Sequence, residues 1–98
     1  MQQTDVQLAK KTAQGFVIPF GPVNLVMVLT DAGMVGCGMF DVAALDSFSF
    51  PAAKVRAASG PVVTIDDLMK ATVKEANRSA VSRGITIGMT GRQALELL

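Results

Sequence analysis

The chain has 98 residues, half of them hydrophobic and 17% charged, with nine basic and eight acidic side chains. An ordinary domain carries roughly 25% charged residues and folding at this size buries only about two-thirds of the chain's surface, so this composition allows one domain and predicts that some apolar surplus lies against another copy of the chain. A net charge of +1 argues against a protein whose main business is binding polyanions, and a mean hydropathy of +0.42 argues against disorder.

The opening residues, Met1-Gln2-Gln3-Thr4-Asp5, lack the basic-then-apolar order of a secretory signal, so a cytoplasmic protein is expected. Val6 and Leu8 alternate with Asp5, Gln7 and Ala9, which predicts a half-exposed strand before a turn at Gln14-Gly15. A second strand puts Phe16, Ile18 and Phe20 on one face, and Pro19 favours an edge position for it. Gly21-Pro22 ends it. Val23 to Thr30 is an apolar run expected to be covered on both faces. The uncharged stretch from Thr12 to Thr30 is no transmembrane helix, because Gly15, Pro19, Gly21 and Pro22 would leave backbone groups unpaired in lipid. Asp31-Ala32-Gly33 then suits a hairpin loop with Gly33 at positive φ, and Met34 to Phe40 is the return strand.

After Phe40 the period changes. Asp41 is a good N-cap for a helix carrying Val42, Leu45 and Phe48, and Pro51 stops it. Ala53 to Ala57 reads as a short strand with Lys54 and Arg56 opposite Val55. Thr64 and Asp67 form a capping pattern for one long helix whose inner face is Leu68, Met69, Val73, Ala76, Ala80 and Val81, closed by Gly84. Ile85 to Met89 is a short extended connection. Thr90 and Gln93 cap a last helix that turns Ala94, Leu95 and Leu98 inward. The chain is therefore expected to be α+β, a single domain with a β-rich oligomerisation region over about 1–40 and a mixed helical region over about 41–98.

Gly84-Ile85, Gly88-Met89-Thr90-Gly91-Arg92 and Ala94-Leu95 together resemble the C-terminal signature of the YunC-like family, a bacterial and archaeal domain of unknown function. The apolar strand leading to Cys37-Gly38, the Lys54-Val55 stretch and Thr64-Ile65-Asp66-Asp67-Leu68 match in order, and the resemblance covers residues 14 to 98. It implies an α+β domain whose N-terminal β region mediates tetramer formation, and it implies no activity. Gly60-Pro61-Val62 and Gln93 depart from the family pattern without changing the local structure expected.

Candidate chemistry is sparse. Cys37 is the one thiol, flanked by Gly36 and Gly38. In a regular strand it shares a face with Val35 and Met39, which makes it a small buried hydrophobe, with the bare glycine face a groove for a helix or neighbouring strand. As a nucleophile it would need a cation beside it, and Lys54, Arg56 and Arg92 are the candidates. Thr90, Gly91 and Arg92 could hold a small anion at a helix start. A cation in a first helical turn opposes the helix dipole, so Arg92 asks for a bound anion or an acidic partner such as Asp41, Asp66, Asp67 or an acid of another subunit. The segment is neither a P-loop nor a dinucleotide fingerprint. Lys70, Lys74 and Arg78 would make a basic stripe on the long helix, but Asp66 and Glu75 at helical spacing point to a solvated face rather than to nucleic acid. Asp66 and Asp67 diverge on a helix and make no carboxylate pair. One cysteine and no histidine provide no usual zinc site, and no cofactor is implied. The leading expectation is a cytoplasmic homo-oligomer joined through its N-terminal sheet and acting in binding or scaffolding. The alternative is an enzyme or small-anion sensor with a subunit-boundary site built from Cys37, Lys54, Arg56 and Arg92.

Overall fold

The computed structural model describes residues 1–98, the side chain of Phe20 excepted. Six strands form one sheet in chain order: β1 (Gln2–Gln7), β2 (Thr12–Phe20), β3 (Val23–Leu29), β4 (Met34–Gly36), β5 (Ala52–Arg56) and β6 (Thr72–Ala76). Neighbours run antiparallel except β4 and β5, which are parallel and joined through helix α1 (Val42–Asp46). Three further short helices follow, α2 (Ile65–Lys70), α3 (Arg78–Val81) and α4 (Gly91–Glu96). The fold is α+β, and no helix is long and apolar enough to cross a membrane.

Three helix starts lie where their capping residues predict. Asp41 accepts from the Ala44 N–H, and Thr64–Asp67 and Thr90–Gln93 both close reciprocal capping boxes. The long helix does not form. Ala71 leaves the helical region at ψ 165, Thr72 to Ala76 become β6, and Asn77 caps the separate helix α3. Val73 then faces the core as a strand residue paired with Val55, a pairing that spacing along one helix could not reveal. Lys70, Lys74 and Arg78 consequently sit on α2, β6 and α3, and no basic stripe exists.

The first turn is also displaced. Leu8 donates its N–H to the Lys11 carbonyl (2.8 Å), and β2 runs straight through Gln14-Gly15. Gly15 is there for space rather than for a turn, because a Cβ would come within 2.9 Å of the Ile65 side chain on α2. Pro19 lies on an inner strand, but past the end of β1, whose pairing starts at Gln2↔Val17, so no ladder bond to β1 is lost. The expected face of Phe16, Ile18 and Phe20 holds for the first two residues, and the Phe20 side chain lies outside what is described. The β3–β4 loop forms at Asp31–Gly33, where Thr30 Oγ1 accepts from the N–H groups of Ala32 and Gly33. Gly33 has no positive φ; a Cβ would meet the Pro51 carbonyl of the neighbouring chain segment.

The register sorts the sheet into two faces. Val6, Ala13, Val26, Val28, Val35, Ala53, Val55 and Val73 share one. They are buried under Leu68 of α2, Ala80 of α3, Ala94 and Leu95 of α4, and Ile85 and Leu98. At about 1.5–3 kcal/mol per fully buried Val, Leu or Ile side chain, this face supplies most of the folding drive. On the other face a smaller cluster joins Met34, Val42 and Ala52 under α1, with Phe40 laid over Gly36. Phe40 thus covers the Gly36 end of the glycine groove expected for a helix or strand, while a Cβ at Gly38 would meet nothing within 4 Å. Phe48, expected on α1, lies past its end at Asp46 and is 79% exposed. The remainder of this face, bearing Phe16, Ile18, Leu25 and Met27, is only half-buried. Strand β3 is therefore fully covered on one face, not on both as its unbroken apolar run suggests.

Candidate functional site

Strand β4 is three residues long, while β3 and β5 continue past it. Beyond the pairs Met27↔Gly36 and Gly36↔Lys54, Cys37 makes one further backbone bond to Val26 (3.0 Å), and the chain then turns away toward α1. The outer strands are left parted, and between them opens a cleft of about 350 Å³ at the carboxyl ends of the parallel pair. Its walls are Pro22–Asn24 at the start of β3 and Lys54–Ala57 at the end of β5, its floor is Cys37–Met39, and Gly60–Val63 closes the side. Asn24 Nδ2 holds that closing loop by donating to the Val63 carbonyl (3.0 Å).

Among the described residues three cations line the cleft, Lys54, Arg56 and Lys74, and no acidic side chain does. Lys54 and Arg56 alternate on β5 as their spacing predicts. Lys74 arrives through a β-bulge: Glu75 pairs with Lys54 and Val73 with Val55, so Lys74 is the extra residue of β6. Bulges of this kind re-aim a side chain, and this one adds a cation beside Lys54. Lys54 is only 22% exposed at its side chain and bonds Glu75 (3.3 Å). Among the described residues, Arg56 and Lys74 have no ion-pair partner. Cys37 is buried, belongs to the main core and contributes to the cleft floor.

Of the sequence-derived candidates, the cleft brings together Cys37, Lys54 and Arg56, whereas Thr90, Gly91 and Arg92 lie on α4, away from it. Three of the backbone donors there are already engaged. The Thr90 N–H donates to Gln93 Oε1 (2.8 Å), the Gly91 N–H to the Ala71 carbonyl (2.8 Å) and the Gln93 N–H to Thr90 Oγ1 (3.1 Å). Arg92 finds its partners in Glu96 (3.9 Å) and the Gln7 carbonyl (3.2 Å), not in Asp41, Asp66 or Asp67. Glu96 in turn accepts from the Ala9 N–H, so this pair clamps α4 to the β1–β2 turn. The Gly88–Gly91 segment serves the sheet. Gly88 donates to the Val73 carbonyl and the Met89 carbonyl accepts from Val73, covering the outer edge of β6.

The aspartates also have structural partners. The Val63 N–H, then the side chain and N–H of Thr64, hold the Asp67 carboxyl below the usual range, while Asp66 pairs with Lys70 (2.9 Å). Ser79 lowers Asp46 through its N–H (3.0 Å) and its hydroxyl (2.9 Å). Among the described residues no three Cys, Asp or Glu side chains gather as a metal site would require. Sequence reasoning missed Lys74 as a cleft residue because it lay inside the expected long helix. The Thr72-Val73 pair, of high β propensity, was the available sign of a strand.

The model for the domain of unknown function DUF1805 matches residues 36–98, and the chain belongs to that family. It is 29% identical over 92 residues to the uncharacterized protein YunC of Bacillus subtilis, covering 94% of this chain and 91% of that one. The fold is similar to the crystal structure of TA1206, a protein of unknown function from Thermoplasma acidophilum, with a TM-score of 0.84 at 24% identity over 97% of this chain and 89% of that one. Strands β1 to β3 precede the family match, so the open sheet face is formed largely by residues outside it.

Proposed function

We propose that this chain is a cytoplasmic binding or scaffolding module that works as a homo-oligomer, a tetramer in line with the family resemblance, assembled through the N-terminal part of its sheet. The observation that carries this reading is the half-buried apolar row of Phe16, Ile18, Leu25 and Met27: Met27 packs against the small cluster under α1 and Leu25 against the main core, while Phe16 and Ile18 belong to neither cluster. A sheet face of this kind seeks a partner, and a second copy offers the same face isologously. There is no basic residue between Lys11 and Lys54, so two such faces can meet without burying a cation from that stretch.

Sedimentation tests the reading. The protein is expected to show no stable monomer at micromolar concentration, and Ile18→Asp is expected to give a folded, smaller species with an unchanged far-ultraviolet spectrum. A wild-type protein that sediments as a clean monomer overturns it.

A further inference from the structure

We infer that the cleft between β3 and β5 is a binding site for a small phosphomonoester carrying an apolar body, a role separate from assembly and not dependent on it. The first ground is charge. Lys54, Arg56 and Lys74 converge on one concavity without an acid in its lining, and Glu75 offsets only one of them from outside. Two positive charges remain, which matches the charge of about −1.5 to −2 on a phosphate monoester at neutral pH. Arg56 supplies a planar fork for phosphate oxygens, and Lys54 and Lys74 supply point charges.

The second ground is the apolar wall. Val23 (40% exposed), Met39 (46%) and Val63 (39%) are three of the eight exposed large hydrophobics among the described residues, and all three border this cleft. They belong to three separate segments, so their exposure here is a property of the cavity rather than of one loose loop. A bare anion leaves them wet; a ligand with an apolar body covers them. The third ground is the backbone. Where β4 ends, β3 and β5 present strand edges toward the gap, at the carboxyl ends of the one parallel pair. The volume falls within the ordinary range for small-molecule sites, about 300–1,000 Å³.

Phenyl phosphate is the probe, measured against inorganic phosphate and benzoate by calorimetry and thermal shift on the full chain. Phenyl phosphate is expected to bind saturably and raise Tm by several degrees, with inorganic phosphate and benzoate each at least roughly tenfold weaker. Arg56→Met and Lys74→Met, both at exposed positions, are each expected to weaken phenyl phosphate roughly tenfold or more, while Arg92→Met leaves it unchanged. No rise with phenyl phosphate overturns the proposal, as does a rise undiminished in Arg56→Met and Lys74→Met. Equal binding of inorganic phosphate overturns the apolar half of the site. An Ile18→Asp protein that no longer assembles is expected to retain the binding, which separates the two readings experimentally.

Discussion

Single side chains decide where the short elements of this protein begin and how they are tied together. Asn77 is the buried polar side chain among the described residues, and each of its polar atoms is used. Its Oδ1 accepts from the N–H groups of Ala52 (3.1 Å) and Ala80 (2.9 Å), and its Nδ2 donates to the carbonyls of Val42 and Phe50 (both 2.9 Å). One amide thereby caps α3, anchors the start of β5 and holds α1. Asn77→Ala removes the cap and leaves buried groups without partners, so a loss of about 2–4 kcal/mol is expected in denaturant unfolding. Asp46 performs a neighbouring task by accepting from Ser79 in the first turn of α3. Its folded pKa lies below the unfolded value of about 3.9, so its contribution is present above that value and is lost as pH falls through the folded one. Between about pH 5 and pH 3, Asp46→Asn is therefore expected to lose less Tm than the wild type. Parallel slopes for the two proteins would show that Asp46 carries none of the acid sensitivity.

At the scale of elements, the C-terminal segment works as a lid on the sheet edge. Strand β6 is the last in the sheet, and Gly88 and Met89 satisfy the outward backbone groups of Val73 within it. Gly91 must approach the end of α2 so closely that a Cβ would collide with the Leu68 carbonyl oxygen. That oxygen is backbone and cannot step aside. Gly91→Ala is expected to cost about 1–3 kcal/mol, whereas Gly38→Ala, where nothing lies within 4 Å and φ is not positive, should stay within about 0.5 kcal/mol. Urea unfolding of both variants checks the contrast. The Gly88-Met89-Thr90-Gly91 signature thus has a physical explanation in edge protection and close helix approach, and a ligand is not needed to account for it.

At the scale of the whole molecule, α2, α3 and α4 serve one sheet face while α1 covers only part of the other. If copies join through the open part, assembly and folding are linked, and Tm is expected to rise with protein concentration over a hundredfold range. In Ile18→Asp that dependence should vanish; its persistence would place the interface elsewhere. Much of this plan was legible from residues alone, where the physics is local. Asp41, Thr64 and Thr90 cap helices because a side-chain oxygen can reach an N–H two or three residues on, whatever the surroundings. The alternation of Lys54, Val55 and Arg56 set their faces for the same reason. The segment from Thr72 to Val81 misled because Val73, Ala76 and Ala80 fit a helical period, while the strand pairing of Val73 with Val55 is remote in sequence. Long-range contact also decided that Gly15 makes room for Ile65, that Arg92 belongs to Glu96 and Gln7, and that Lys74 joins Lys54 and Arg56. By itself the sequence determined an α+β chain with more apolar surface than its few charges can cover. Only the tertiary structure decided where that surface lies and which cations share a cleft, because both depend on where β4 stops between two longer strands.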